Sequence, residues 1–463
     1  MLSRKVPLHE LSDEEQSLTP TYGQRRLRTA LPRYDMPAGE MSPQTVYSVI
    51  HDELMLDGNA RLNLATFVTT WMEPEARLLM AETFDKNMID KDEYPQTAEL
   101  ELRCVNMLSR LWNSPSHEEA VGCSTIGSSE AAMLGGMALK WRWRERMRAD
   151  GKPTDKPNLV MGINVQVCWE KFCRYWDIEP RYVPMEGDCY HLTAQEAVKL
   201  CDENTIGVIA VMGSTFDGSY EPVQEINDAL DALQQDKGWN IPIHVDGASG
   251  GFVAPFLQPD LAWDFRVPRV KSINTSGHKY GLVYPGVGWI IWRDKEELPE
   301  DLIFSVNYLG GQMPTFAINF SRPGNQVVAQ YYNFLRLGKE GYTRIHKACQ
   351  DAALYLSSEI AQMGPFQLIS DGSAIPVFAF ALKEVTNFTV FDLSERLRDR
   401  GWLVPAYTFP KNREDLAALR IVVKEGFSRD MADLLLNDMQ RHLQFFASQP
   451  GYHPGPAKSG FKH

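Results

Sequence analysis

Short apolar runs alternate with amphipathic stretches between about residue 60 and residue 340. The stretches Ser129–Met147 and Val223–Gln235 carry apolar residues at helical spacing and predict helices. The apolar runs predict buried strands at Leu159–Ile163, Ile206–Met212, Ile241–Val245 and Val270–Ile273. Alternating strands and helices are typical of a mainly parallel sheet with helices on both faces.

The pattern changes near residue 340, where a long helix is predicted over Tyr342–Gln362. Strands are predicted at Val377–Leu382 and Leu419–Val423, and a last helix at Met431–Phe446. We therefore expect a large domain over 61–345 and a small C-terminal α/β domain over 346–448.

Both ends of the chain lack such periodicity. Residues 1 to about 45 combine Arg25, Arg26 and Arg28 with several prolines, among them Pro20, Pro32, Pro37 and Pro43, which predicts an irregular arm. We expect an N-terminal segment over 1–60 at a subunit interface. The Pro- and Gly-rich end cannot be helical, so 449–463 is expected to be a mobile tail.

Composition limits the possible partners. The net charge of −13 argues against nucleic acid or an anionic membrane, because both require a basic surface. No run approaches the roughly 20 apolar residues of a membrane span, and residues 1–15 lack the apolar core of a signal peptide. The seven cysteines have no metal-ligand spacing and are expected to be reduced thiols. These features predict a cytoplasmic protein without a bound metal.

Lys279 follows the predicted strand Val270–Ile273 after a run of small polar residues. That places it at the carboxyl edge of the sheet, where open α/β sheets bind ligands. A lysine there can form a Schiff base with an aldehyde cofactor. Taken alone, a lysine after a strand is more often a solvated surface residue.

Asp246 lies at the carboxyl end of the predicted strand Ile241–Val245, followed by small residues that include Ala248. A carboxylate in this place can pair with a pyridinium nitrogen and keep it protonated. The alternative is an aspartate that only forms a turn. No G-x-G-x-x-G motif fits here, which disfavours dinucleotide binding.

Ser128 and Ser129 open the helix predicted over Ser129–Met147, directly after Gly127. Free backbone N–H groups and hydroxyls at a helix N-terminus bind phosphate readily. Simple N-capping by serine, with Glu130 in the first turn, explains this segment equally well by itself.

The order phosphate helix, acid, lysine resembles the amino-acid decarboxylases that use pyridoxal 5′-phosphate (PLP) and have the aspartate-aminotransferase-like fold (PLP fold type I). Longer motifs make the chain similar to the glutamate decarboxylases of bacteria and plants, from about residue 50 to 448. These motifs are Asp57–Phe67, Lys86–Pro95, Val165–Phe172, Tyr308–Gln312 and Phe316–Pro323. The resemblance implies a large domain with a mainly parallel seven-stranded sheet, and decarboxylation of L-glutamate to 4-aminobutyrate and CO2. Because this reaction consumes a proton, a role in acid resistance would fit it.

The resemblance also implies roles for individual residues. Lys279 would carry the cofactor, Asp246 would pair with its ring nitrogen, and His278 would contact its phosphate. The other cofactor contacts implied are Ser128, Ser129, Gln166, Thr215, Ala248, Ser276, Phe320 and Ser321. Phe320 and Ser321 would act across a dimer interface. The substrate contacts implied are Thr66, Phe67 and Arg420, with Asn87 and Asp90 from a neighbouring subunit.

Assembly and control follow from the same resemblance. We expect a homo-oligomer, at least a dimer, with a hexamer possible. The end of the chain carries too few cations and no tryptophan for a calmodulin helix, so calmodulin is not an expected partner. The last residues resemble a bacterial tail that closes the active site at neutral pH, which makes His463 a regulatory candidate; a merely frayed terminus is the alternative.

Two alternatives to glutamate decarboxylation remain open from the sequence. The first is a PLP-dependent lyase, aminotransferase or decarboxylase that acts on another amino acid or amine. The implied pocket of Thr66, Asn87 and Asp90 disfavours it, because such a pocket is short and tolerates an anion. The second is a cofactor-free scaffold protein on the same fold, which the intact Lys279 and Asp246 disfavour.

Overall fold

The computed structural model describes residues 34–116, 119–306, 313–384 and 387–449. The chain divides into two compact units, Met1–Asn59 and Ala60–His463. The Arg-rich start of the arm, the motif Tyr308–Gln312 and the tail with His463 lie outside the described residues.

The described part of the first unit contains one helix, α1 (Pro43–Leu54). Ser42 caps it by accepting a hydrogen bond from the Thr45 N–H, and Pro43 occupies the first turn, where its missing N–H costs nothing. The sequence predicts an irregular arm at the start of this stretch and does not predict the helix. The Ser-Pro pair was the available signal.

A seven-stranded sheet forms the centre of the second unit, and it confirms the expected mainly parallel α/β fold. Its spatial order is β1-β7-β6-β5-β4-β2-β3, with β7 antiparallel to both neighbours and the other pairs parallel. The four strands predicted from apolar runs correspond to β2, β4, β5 and β6. The strands are β1 (Val121–Thr125), β2 (Asn158–Gly162), β3 (Glu179–Val183), β4 (Thr205–Val211), β5 (Ile243–Asp246), β6 (Val270–Thr275) and β7 (Gly288–Trp292).

Helices cover both faces of this sheet. Leu159 and Met161 of β2 pack in a cluster with Trp143, whereas Val160 between them packs with Ile226 on the other face. Burial on both faces explains why these strands are almost continuously apolar. The helices are α2 (Pro74–Glu82), α3 (Pro95–Leu111), α4 (Ser128–Ala149), α5 (Val167–Tyr175), α6 (Ala194–Lys199), α7 (Val223–Lys237) and α8 (Ala254–Leu257).

The long helix α9 (Asn325–Gln362) leads into the C-terminal part. It kinks at Gly338, whose φ of 56° is in the left-handed region that favours glycine. The sequence predicted only the half that follows this kink, from Tyr342. Because α9 runs through residue 345, the expected boundary between the large and small domains stays a prediction.

A four-stranded antiparallel sheet with order β10-β11-β13-β12 follows α9. Its apolar core includes Leu356, Phe380, Leu419 and Leu435. The remaining elements are β8 (Phe304–Val306), β9 (Met313–Thr315), β10 (Phe366–Leu368), β11 (Val377–Leu382), α10 (Val390–Arg398), β12 (Ala406–Thr408), β13 (Ala417–Val422) and α11 (Arg429–Ala447). Among the helices of the described residues, none has an apolar stretch long enough to span a membrane.

Candidate active site

A cavity of about 410 Å³ lies where the carboxyl ends of β4, β5 and β6 meet the N-terminus of α4. This is the edge at which the sequence placed the acid and the lysine. Nine of the expected cofactor residues line it, namely Ser128, Ser129, Gln166, Thr215, Asp246, Ala248, Ser276, His278 and Lys279. Gln166 is also the N-cap of α5, accepting the Cys168 N–H at 2.7 Å, so its amide is held in place.

Lys279 is carried by the loop that follows β6. Burial lowers the pKa of its ammonium below that of an ordinary lysine, and the nearby Asp246 acts in the opposite direction. A lowered pKa increases the fraction of free amine, which is the nucleophilic form. The side chain is therefore suited to attack an aldehyde.

Asp246 ends β5 and is only 4% exposed. Its Oδ1 accepts hydrogen bonds from the Ala248 N–H at 3.1 Å and from Asn274 Nδ2 at 3.0 Å. Its Oδ2 accepts one from the Trp169 indole Nε1 at 2.8 Å. Three donors therefore hold the Asp246 carboxyl group in place at the cavity.

The opposite end of the cavity is rich in hydrogen-bond donors. The Ser276 hydroxyl is fully buried and has no hydrogen-bond partner among the described residues. His278 Nδ1 faces the N–H groups of Gly286 and Val287, each at 3.3 Å, so the neutral ring carries its proton on Nε2. Burial, with a smaller contribution from Lys279, lowers the pKa of His278 to about 4 and keeps the ring neutral.

Close packing holds these donors in place. A Cβ atom added to Gly288 of β7 would lie 2.4 Å from the carbonyl carbon of Gly127, so only glycine allows this strand to approach the start of α4. An unpaired buried hydroxyl beside a helix N-terminus is an arrangement that fits an anionic group such as phosphate.

Phe67 lies close to two basic side chains, Lys279 and Arg420. Its ring centroid lies 5.2 Å from Lys279 Nζ and 4.8 Å from Arg420 Cζ. Arg420 donates through Nη1 to the Thr215 carbonyl and through Nη2 to the Ala65 carbonyl, at 2.6 Å for the latter. Its Nε is buried and has no partner in the described part of the chain, so it is available to bind a carboxylate. Thr66 lies next to Phe67, and its hydroxyl accepts the Val68 N–H at 3.0 Å.

Seven expected site residues in the described part of the chain do not line this cavity. They are Thr66, Phe67 and Arg420, described above, and Asn87, Asp90, Phe320 and Ser321. Asn87 donates to the Ser321 hydroxyl at 3.3 Å and accepts the Arg322 N–H at 3.1 Å, and Phe320 is 41% exposed. The backbone N–H of Asp90 donates to the Asn87 carbonyl at 3.2 Å. Their role across a subunit interface stays a prediction.

Comparisons with known proteins agree with this geometry. Residues 32–383 match the family model described as the pyridoxal-dependent decarboxylase conserved domain. The chain belongs to this family. It is 60% identical to a glutamate decarboxylase of Aliivibrio fischeri over 99% of this chain and 100% of that relative. It is 51% identical to a glutamate decarboxylase of Solanum lycopersicum over 95% of this chain and 88% of that relative.

A solved structure extends the likeness to the whole fold. The glutamate decarboxylase of Lactobacillus brevis CGMCC 1306 superposes with a TM-score of 0.89 at 45% identity. The match covers 93% of this chain and 98% of that structure. The aspartate-aminotransferase-like fold expected from the sequence is thereby confirmed.

The cofactor of this family fits the cavity. Lys279 would offer an amine of lowered pKa to its aldehyde, Asp246 a carboxylate to its ring nitrogen, and the unpaired Ser276 hydroxyl a donor to its phosphate. Within the described residues, no group of three or more His, Cys, Asp or Glu side chains is arranged to hold a metal ion. The fold and the side chains at the cavity therefore both fit chemistry that uses PLP.

Several residues that support Asp246 were not predicted from the sequence. Asn274 bridges Asp246, the Ser128 hydroxyl at 2.5 Å and His244 Nε2 at 2.6 Å, and His244 in turn contacts Ser272 at 2.7 Å. The register pairs His244 with Ser272 and Asp246 with Asn274, so all four lie on one face of adjacent strands. Polar residues at every second position of two buried strands were the signal that could have identified them.

Proposed function

We propose that the chain decarboxylates L-glutamate, using PLP, to give 4-aminobutyrate and CO2 with consumption of one proton. The glutamate decarboxylases named above support this proposal through their extensive identity. The observation that carries it is that Lys279, which lines the cavity with Asp246, and Arg420 both lie close to the ring of Phe67. An amine for the cofactor and a cation for a carboxylate would then serve one site.

The chain holds the cofactor through both ends of the cavity. Asp246 would hold the ring nitrogen, Gln166 and Ala248 would cover the two ring faces, and Thr215 would support the ring hydroxyl. The phosphate would be held by Ser128, Ser129, Ser276 and the Nε2–H of His278. When bound, PLP supplies an electron sink for the electron pair left when a bond at Cα breaks. Asp246 maintains that capacity because its charge favours a protonated ring nitrogen.

Arg420 determines which bond at Cα is aligned for cleavage. Its guanidinium would bind the α-carboxylate and hold it in one orientation, which would favour loss of CO2 over loss of a proton from Cα. Thr66 and Phe67 would bind the distal carboxylate of the substrate, with Asn87 and Asp90 from a second subunit. Lys279, whose lowered pKa makes it release a proton more readily than an ordinary lysine, is our candidate for protonating Cα.

We also propose that the working form is a homo-oligomer with composite sites. Asn87 and Ser321 are hydrogen-bonded to each other, yet neither lines the cavity of its own chain. Both match positions that act across an interface in the family that the sequence resembles. A neighbouring subunit would bring them to the cavity that they do not reach in this chain.

The test is CO2 release from L-glutamate, L-aspartate and aromatic amino acids by the PLP-loaded protein. We expect release from glutamate well above that from the others, together with stoichiometric 4-aminobutyrate. Lys279→Ala is the control and should release none. Preferred release from aspartate or an aromatic amino acid would assign the chain to another member of the family, and a yellow protein inactive on all of them would assign another reaction class.

A further inference from the structure

The segment Leu64–Thr69, which we call the linking segment, is tied to the C-terminal sheet along its length. Leu64 accepts the Val422 N–H at 3.0 Å. Ala65 accepts Arg420 Nη2 at 2.6 Å, and Val68 accepts Lys424 Nζ at 3.1 Å. Every second residue from Arg420 to Lys424 therefore donates to a carbonyl of this segment.

The other end of the linking segment is tied to the cofactor lysine. The Thr69 N–H donates to the His278 carbonyl at 2.8 Å, and the Thr69 hydroxyl donates to the Lys279 carbonyl at 2.7 Å. Thr69 is 6% exposed, so water does not readily replace these bonds. One threonine thus fixes the backbone of two residues that line the cavity.

Between these two ends in the sequence lies Phe67, whose ring is close to both Lys279 and Arg420. Fixing the backbone on both sides of Phe67 helps to hold its ring at these distances. The bond from Lys424 to Val68 and the bonds from Thr69 to the lysine loop lie on the same side of Phe67 in the sequence. The bond from Arg420 to Ala65 lies on the other side.

Lys424 is an unusual choice for a purely structural contact. The residue is only 8% exposed, and burial lowers the pKa of its ammonium to about 8. Removing a cation from water costs free energy, and the Val68 carbonyl is the one hydrogen-bond acceptor that the described residues give to its Nζ. A lysine that is buried at this cost and donates to a carbonyl of a site segment indicates a functional reason for its presence.

We propose that Thr69 and Lys424 are positioning residues of the active site, which act through the linking segment to hold Lys279 and Phe67 in their working arrangement. Thr69 acts on the cofactor lysine, and Lys424 acts on the residues beside the substrate. The effect on substrate rests on the proposed glutamate activity. The effect on cofactor binding requires only that PLP binds at Lys279.

Two pairs of variants separate these roles. Thr69→Val keeps the shape of the side chain and removes the hydroxyl, whereas Thr69→Ser keeps the hydroxyl. Lys424→Met keeps the aliphatic length and removes the donor, whereas Lys424→Arg keeps a donor. The matched control for Thr69 is Thr70→Val, because within the described chain the Thr70 hydroxyl makes no hydrogen bond to the loop that carries Lys279. The matched control for Lys424 is Lys411→Met, because Lys411 is exposed.

The measurements are the affinity of the cofactor-free protein for PLP, kcat and KM for glutamate, and the melting temperature. Thr69→Val should weaken PLP affinity about tenfold, as expected for the loss of one buried hydrogen bond of about 1.4 kcal/mol. Lys424→Met should raise KM about tenfold with kcat changed by less than about threefold. Thr69→Ser and Lys424→Arg should recover most of each loss.

The proposal is overturned if Thr69→Val and Lys424→Met behave like the two controls. It is also overturned if both lower the melting temperature, kcat and affinity together without recovery in the conservative variants, because that describes a structural role alone. An insoluble variant is replaced by Thr69→Ala or Lys424→Gln and judged by the same thresholds. If the wild type releases no CO2 from glutamate, the proposed function fails, while the PLP affinities still decide the role of Thr69.

Discussion

Asp246→Asn is the substitution whose consequences the structure defines most sharply. An asparagine carbonyl can replace Oδ1 and accept the same bonds from Ala248 and Asn274. Its amide nitrogen then stands where Oδ2 accepts the Trp169 indole N–H at 2.8 Å, so that two donors face each other. If the amide is flipped, its NH2 group instead faces the two donors from Ala248 and Asn274, which leaves more hydrogen bonds unmade.

The expected losses fall on stability and on rate. Losing a charge-assisted buried hydrogen bond and leaving a donor unpaired costs about 2–3 kcal/mol in the free energy of unfolding. Losing the charge opposite the cofactor ring nitrogen costs on the order of 3 kcal/mol in activation free energy, or about 10²-fold in kcat. Removing the indole N–H with Trp169→Phe should relieve the loss of stability in Asp246→Asn and leave the loss in kcat unchanged.

A double-mutant cycle measures this separation. We expect Trp169→Phe to destabilise the wild type by about 1–2 kcal/mol and to be neutral or stabilising in the Asp246→Asn background, a coupling of about 2 kcal/mol. Denaturant unfolding of the cofactor-free proteins gives the stabilities, and glutamate turnover at saturating PLP gives the rates. Equal effects of Trp169→Phe in both backgrounds would refute the proposed donor conflict. Unchanged turnover of Asp246→Asn with bound cofactor would refute the assigned role of the acid.

Three further predictions concern assembly, control and pH. Mixing inactive Lys279→Ala chains with inactive Asn87→Ala chains should regenerate activity in mixed oligomers, and no recovery despite demonstrated subunit exchange would indicate self-contained sites. Deleting residues 450–463 should extend activity toward neutral pH if a neutral His463 closes the site there; an unchanged pH profile would exclude that role. Burial raises the pKa of Glu221 to about 7, so the folded state binds its proton more tightly than the unfolded state. The stability that this proton contributes is fully present below about pH 4.5, and it falls by about 3 kcal/mol as the pH rises through 7. Denaturant unfolding at several pH values measures this slope. Glu221→Gln should flatten the slope, whereas Glu225→Gln, at an exposed glutamate, should leave it unchanged.

Much of the fold could be predicted because its signals are local. The apolar runs of β2, β4, β5 and β6 are buried on both faces, and such runs are visible in any window of a few residues. The second half of α9 was predicted for the same reason. The first half of α9 and the kink at Gly338 were not predicted. The left-handed conformation of Gly338 interrupts the helix, so the apolar positions before and after it do not follow one continuous helical pattern.

The sequence signals that indicated Asp246, Lys279, Ser128 and Ser129 were also local. Asp246 and Lys279 follow neighbouring parallel strands, and the carboxyl ends of such strands meet at one edge. Ser128 and Ser129 open a helix, whose N–H groups necessarily point outward. The positions of these residues in the sequence indicated one edge of the sheet, and their joint order, with the family resemblance, predicted that they share one site.

Only the tertiary structure decided how this site is supported. The strand register placed His244 and Asn274 beneath Asp246, and packing of α5 brought the Trp169 indole to the same carboxylate. The linking segment lies more than 200 residues before Lys279 and more than 350 before Lys424, so no local pattern relates them. Hydrogen bonds between such distant segments depend on how the layers pack, whereas strand ends and helix starts depend only on neighbouring residues.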